Sequence, residues 1–477
     1  MAKTFNSGNA VKWAVTLGFP IVLLLIPCND VYTLSMKLFL ALTLAAILMF
    51  AFENLNQTVV SLLLPFLYVV LQIAPANVAL SPWTQTVPWM MISGLILANV
   101  LQSIGLLKRV AYKCIVLTGA SYTGIILGIG ITGLVLNLMT PSQALVPLAT
   151  LAYGICMALD YKKSPQAAGI MLAAAMASQI PTNFLLNPNV LIIYGIAGTI
   201  GQIHPLVAEA YGIGGEVAGF NSTTWPLYLF HNWPNFVYYV VLLLVIARIF
   251  RPKERLNRKS YFVEEYQKLG KMSRDEKKGL VVCAVLFLLL LTQSLHKVDA
   301  AYVFILTPLL AFIPGINIGK ADDIRKANFP FIIFVVACMS IGSVAASLGF
   351  GTLVSNTVMP MLTGKSVTLI LGLVWLLVVL VNFLLTPLAI QSTFTVPLTQ
   401  IALSVGINPE AMWMTILHGS DQIILPYEYP LYMLFFSYGL MSMKDFSKFF
   451  SIKMVINLLF LLLFFIPYWN AIGFLRI

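Results

Sequence analysis

The runs VVLLLVIA (240–247), AVLFLLLLTQ (284–293) and LLFLLLFFIPYW (458–469) decide what this chain can become. Runs of this kind recur along nearly the whole length, far too often for a single anchor. Hydrocarbon offers no water to pair backbone N–H and C=O groups, so each segment must satisfy them internally, as a helix or a closed barrel. The segments are long and lack the two-residue alternation of barrel strands. They therefore read as helical spans of about 20 residues. Only 9% of the 477 residues are charged, against roughly 25% in soluble domains. The fold class that follows is an all-α polytopic membrane protein. Five scattered cysteines (28, 114, 156, 283, 338) form no CxxC pair and imply neither a disulfide framework nor a metal site. MAKTFNSGNAVK leads straight into the first span with no small-residue cleavage pattern, so no cleaved signal is expected.

The apolar pattern predicts spans at 12–27, 33–51, 58–79, 87–105, 166–195 (interrupted), 226–248, 280–295, 301–317, 328–348, 411–439 (interrupted) and 454–471. Two further apolar pieces, 114–159 and 366–405, are too long for one helix and are broken midway by proline and polar residues. Each reads as a re-entrant hairpin, tolerated where protein or a water-filled cavity surrounds it. A net charge of +11 might suggest nucleic acid, but Lys and Arg gather in cytoplasmic loops of membrane proteins. With the N-terminus inside, every Lys and Arg except Lys37, Lys297, Lys365 and Arg476 falls in an inside loop, Lys444, Lys448 and Lys453 among them. Making either hairpin a single crossing sends basic loops outside, so the charge bias supports both hairpins. No nucleic-acid partner is expected.

The hydrophilic linker 248–279 divides the chain into residues 1–247 and 280–477. The first part carries six spans and a hairpin opening from the inside. The second carries five spans and a hairpin opening from the outside. That is an inverted repeat, a design of secondary transporters. The N-terminus is then cytoplasmic and the C-terminus extracytoplasmic, in an inner membrane. GIILGIGITG holds Gly124 and Gly128 at small-xxx-small spacing, read as packing within the hairpin rather than as a dimer face. The sequon at Asn221 is read as a chance match.

The first hairpin contains TPSQALVPLA (140–149), and the second contains QSTFTVPLTQ (391–400). Aligned on Val-Pro-Leu, Ser142 faces Ser392 and Gln143 faces Thr393. Helix ends at such tips carry N–H groups without intrahelical partners, and the positive ends of half-helix dipoles favour anions. Thr140, Ser142, Gln143, Ser392 and Thr393 are thus candidate substrate ligands, with Asn187 of the following segment. Each hairpin precedes a proline-broken span, SQIPTNFLLNPN (178–189) and HGSDQIILPYEYP (418–430). Carbonyls freed beside Thr182, Asn183 and Ser420 are oxygen ligands of the kind Na⁺ accepts. No Arg or Lys lies in either hairpin core or broken span, but Asp421 and Glu428 do. Intramembrane carboxylates are costly and usually functional. They are candidates for ion coupling with His418, although Glu428 also suits an interface position and His418 a packing role.

The C-terminal stretch SMKDFSKFFSIKMVINLLFLLLFFIPYWNAIGF, the LMTPSQ hairpin and SGLILANVLQSIGLLKRVAYK resemble the divalent-anion:sodium symporter family of the ion transporter superfamily. The nearest likeness is to its 2-oxoglutarate/malate translocator branch. The resemblance implies eleven spans plus two hairpins, a homodimer in the lipid bilayer, and an elevator motion of a transport domain against a scaffold. It implies hairpin tips that bind substrate carboxylates and border Na⁺, here near Ser142 and Ser392, with no cofactor beyond a coupling Na⁺ or H⁺. The second tip motif falls either on Ser392-Thr393 or, if the Thr-Pro pairs 140–141 and 386–387 are aligned, on Pro387-Leu388-Ala389. The expected function is secondary transport of a small organic anion, a di- or tricarboxylate first, by symport or exchange. An antiporter or channel for an inorganic anion or Na⁺/H⁺, and a carrier of a zwitterionic or sulfonated solute, are the alternatives. No Walker A motif is present, and the four histidines (204, 231, 296, 418) are scattered, which argues against a membrane-embedded enzyme.

Overall fold

The computed structural model describes residues 7–30, 32–52, 54–119, 121–139, 144–180, 182–185, 225–252, 259–298, 300–327, 329–350, 360, 362, 364–382, 387–424 and 429–476. Among these every named element is a helix and no strand forms. The first part contains α1 (Ser7–Leu25), α2 (Leu34–Phe52), α3 (Gln57–Val70), α4 (Ala76–Ala79), α5 (Thr86–Ser103), α6 (Leu106–Thr118), α7 (Tyr122–Met139), α8 (Leu145–Ala158), α9 (Pro165–Ala177), α10 (Trp225–Asn232) and α11 (Pro234–Ile249). The remainder contains α12 (Lys259–Lys268), α13 (Arg274–Leu291), α14 (Ala300–Leu306), α15 (Phe329–Ser347), α16 (Val367–Asn382), α17 (Pro387–Ser404), α18 (Pro409–Ser420), α19 (Pro430–Ser437), α20 (Met443–Phe460) and α21 (Ile466–Ala471). A π-helical turn, Leu461–Phe465, joins α20 to α21.

Exposure along these helices has the pattern expected of a chain solvated by lipid. Val11, Leu17, Phe19, Ile21, Val22 and Leu25 of α1 are exposed, as are Val455, Leu459, Leu463 and Phe464 near the C-terminus. In water such contiguous apolar surface is an aggregation liability; in a bilayer it faces acyl chains at no cost. By length and composition, Tyr122–Met139 and Met443–Ala471 are long and apolar enough to cross a membrane. The predicted span 58–79 divides into α3 and α4 at a turn where Gln72 has φ 56°.

The first hairpin region begins differently from the expectation. Helix α6 is a separate helix, bent 73° from α5, and packs along α7. Gly105 forms the corner at φ +83°, a conformation open to glycine and strained for other residues. The segment 114–159 thus contains the end of α6, then α7 and α8 flanking residues 140–143. The glycines of α7 serve packing within the chain: a Cβ on Gly128 would lie 2.6 Å from the Thr118 hydroxyl of α6.

The linker is also structured. It holds α12 and the first turn of α13, where Ser273 and Glu276 form a capping box. Arg109 of α6 is buried there. Its guanidinium binds Glu276 at 2.7 Å and donates to the carbonyls of Leu269 and Gly270 at 2.9 Å. Burial pushes the Glu276 carboxyl up, but hydrogen bonds from Arg109 and Ser273 outweigh it and hold the group below its ordinary value.

Candidate functional site

Helices α9 and α18 share a design. Each opens with a capping side chain followed by proline, Ser164-Pro165 and Asn408-Pro409, which suits a helix start because proline lacks the N–H that would go unpaired there. Every residue from Ala167 to Ala177 and from Ala411 to Ser420 is buried. Ala and Gly dominate α9, so neighbouring helices approach it closely. A Cβ on Gly133 of α7 would fall 2.3 Å from the Ala177 carbonyl oxygen. Both helices then stop inside the protein, where their last carbonyls lack intrahelical donors.

Two asparagines serve those carbonyls. Asn137, near the end of α7, donates its amide to the carbonyls of Ala177 and Ser178 at 3.1 Å and Ile180 at 2.5 Å. Asn382, the last residue of α16, donates to the Gln422 carbonyl at 2.9 Å. Donor and acceptor lie 40 residues apart in Asn137–Ala177 and again in Asn382–Gln422. The two parts therefore carry the same tie, in a register that brings Ser164-Pro165 within one residue of Asn408-Pro409. This register matches the Thr-Pro alignment of the hairpins to within a residue or so. It differs from the Val-Pro-Leu alignment, because Pro147 lies in the first turn of α8 and Pro397 lies deep within α17.

The ends of the two broken spans meet at a cavity of about 40 Å³, room for roughly three water molecules. After α9 the lining is Gln179, Thr182 and Asn183; from α17 and α18 it is Pro387, Gln391, Leu417, Ser420 and Asp421; Tyr239 and Tyr429 close the sides. Gln391 donates to the Ser420 hydroxyl at 2.9 Å, and that hydroxyl donates to the Leu417 carbonyl at 3.1 Å. Thr395, one turn further along α17, donates to the Gln391 side-chain carbonyl at 3.3 Å. The carbonyls of Thr182 and Asn183 accept from Tyr228 at 3.4 Å and Asn235 at 3.1 Å. The lining thus presents neutral amides and hydroxyls around one acid.

That acid is paired. The ammonium of Lys453 in α20 lies 2.6 Å from one Asp421 carboxylate oxygen and 2.5 Å from the Asp421 carbonyl. Its third oxygen neighbour is the Gln422 side chain, at 3.4 Å. Tyr432 donates to the other carboxylate oxygen at 3.2 Å. The Lys453 side chain is 0% exposed and that of Asp421 17%, so the carboxylate borders the cavity and its partner is enclosed. The sequence placed Lys453 among the inside-loop basic residues. The structure instead buries it on α20 with Phe446, Phe449, Phe450, Asn457 and Phe460. One turn before the pair, His418 accepts at Nδ1 from Asn457, which in turn accepts from Trp375 at 2.8 Å. The His418 ring stacks on Phe465 at 4.6 Å. These contacts set the histidine's tautomer and hold it in the packing.

Of the residues singled out by sequence, Thr182, Asn183, Ser420 and Asp421 converge on this cavity, and His418 lies behind it. Ser392 and Thr393 fall in the second turn of α17 rather than at its start. Thr140, Ser142, Gln143, Asn187 and Glu428 lie outside the described residues. Sequence reasoning missed Gln391, Gln179 and Lys453. Gln391, Thr395 and Thr399 recur every fourth residue, a polar stripe on α17 buried throughout; that period was the available signal.

A bundle of lipid-facing helices around two central broken helices, with a polar cavity where those helices end, defines a membrane carrier for a small solute. The transmembrane-region model of sodium:sulfate symporters matches residues 7–475, and the chain belongs to that family of secondary anion transporters. In fold it is similar to the YdaH transporter of Alcanivorax borkumensis, whose crystal structure is described as having an unusual topology. The two align over 98% of each chain, with a TM-score of 0.52 and 16% identity. No curated protein matches the sequence.

Proposed function

We propose that this chain is a secondary active transporter of a small organic anion, a di- or tricarboxylate, coupled to Na⁺ or H⁺ or working by exchange. The observation that carries the reading is the cavity itself: neutral amide and hydroxyl groups from both broken spans, with its one acid neutralised by Lys453. An unpaired Asp421 would repel a carboxylate substrate; a paired one does not. The hairpin tips, with Ser142 and Gln143 on the first, supply further donors to the substrate and border a Na⁺ site. Because the cavity holds only about three waters, loading a dicarboxylate widens it through movement of the hairpin arms. The separate apolar cluster of α2, α3 and the end of α15 fits a scaffold against which a transport domain slides in a homodimer. The N-terminus lies on the cytoplasmic side of an inner membrane.

Uptake of labelled succinate, citrate and sulfate into proteoliposomes, with and without inward Na⁺ and pH gradients, tests this. Succinate or citrate uptake that competes with neither amino acids nor taurine is expected. Gln391→Leu and Ser142→Ala should weaken it with expression intact. Uptake of sulfate alone replaces the carboxylate reading with an inorganic one. Normal transport by Ser142→Ala removes the first hairpin tip from the binding site.

A further inference from the structure

The C-terminal end of a half-helix is where transporters of this architecture hold a soluble cation, using freed carbonyls and nearby side-chain oxygens. At the end of α18 that oxygen set is already filled. The Asp421 carbonyl, the Asp421 carboxylate and the Gln422 side-chain oxygen surround the Lys453 ammonium at 2.5, 2.6 and 3.4 Å. Asp421 is the cap residue of α18, so the ammonium also sits at the negative end of the helix dipole. The donors described above at the end of α9 are neutral: the amides of Asn137 and Asn235 and the Tyr228 hydroxyl. The second broken span adds a tethered cation to its own amide tie from Asn382.

We infer that Lys453 is the resident cation of the second broken span, standing where a soluble coupling ion would otherwise bind. The inference deepens the reading of the cavity as an anion site and rests on it. An ammonium and an alkali cation of like charge are satisfied by the same oxygens. Removing the ammonium while keeping the oxygens therefore leaves a cage of net negative charge open to Na⁺.

Thermal unfolding of the detergent-purified full chain, in NaCl against choline chloride at equal ionic strength, tests this without knowledge of the substrate. Lys453→Met keeps the length of the side chain and vacates the cage. It is expected to gain a saturable Na⁺-dependent rise of the unfolding midpoint over wild type, about 2–3 °C when the cage is near saturation for a chain of this size. The double variant Asp421→Asn/Lys453→Met removes both charges and is expected to respond to Na⁺ as wild type does. A Lys453→Met variant with the wild-type Na⁺ response overturns the assignment. So does one that remains unfolded at saturating Na⁺, since the ion should then replace the ammonium. A double variant that gains the extra response overturns it too. Failure of the underlying reading has a different signature: no midpoint shift of the wild-type protein with succinate, citrate or sulfate.

Discussion

Replacing Asn137 with alanine isolates the tie between the first hairpin and its broken span. The amide has two N–H groups and three carbonyl neighbours, so one hydrogen is shared. Alanine leaves those buried carbonyls without this donor, and a buried polar group left unpaired costs about 1–3 kcal/mol. With two full bonds lost, Asn137→Ala should cost about 2–5 kcal/mol. Asn382 makes one such bond, and its own carbonyl oxygen already has no partner among the described residues. Asn382→Ala should therefore cost about 1–2 kcal/mol. Asn137→Asp should be worse than alanine, because it turns a carboxylate toward three carbonyl oxygens in a buried site. Chemical unfolding of the purified protein, followed by tryptophan fluorescence, ranks the variants. A loss at Asn382 equal to or larger than that at Asn137 would refute the hydrogen-bond reasoning, as would an aspartate variant as stable as wild type.

Gly133→Ala should destabilise the protein and lower its yield, because the added carbon would lie 2.3 Å from a backbone oxygen that cannot retreat; expression and size-exclusion profiles report it. Glu276→Gln should lower the unfolding midpoint by weakening the clasp to Arg109. Since the folded carboxyl is held below its usual value, its contribution is complete above an unfolded carboxylate pKa of about 4.3 and disappears as pH falls through the folded value. The gap between wild type and Glu276→Gln should stay constant down to about pH 5 and close below about pH 4; a gap that widens on acidification contradicts the sign. Thr395→Val should reduce anion uptake less than Gln391→Leu, since Thr395 orients Gln391 from outside the cavity; equal losses in transport assays would place both on the substrate.

The features legible in the sequence were those written as interruptions. Prolines and polar residues inside apolar runs marked both broken spans, and Thr182, Asn183, Ser420 and Asp421 followed from them. Lys453 was not legible by the same rule. Its neighbours Lys444 and Lys448 made it read as part of a basic loop, whereas the spacing of Phe449, Phe450, Asn457 and Phe460 around it is that of a buried helical stripe. Charge outweighed period in the reading, and a partner acid 32 residues upstream cannot be found by local pattern. The shared Val-Pro-Leu misled for a related reason. Three common residues recur by chance, and only their depth within α8 and α17 shows that the two prolines do different things. Separation in sequence also hid the Asn137 and Asn382 ties until the acceptors were in view.

Helix α9 has no side chain from Ala167 to Ala177 that reaches the outside of the protein, and α18 is enclosed in the same way. Neither can shift along the membrane normal without carrying the helices that wrap it. Whatever occupies the centre of this molecule is therefore wrapped in a sheath of protein that keeps the acyl chains from it.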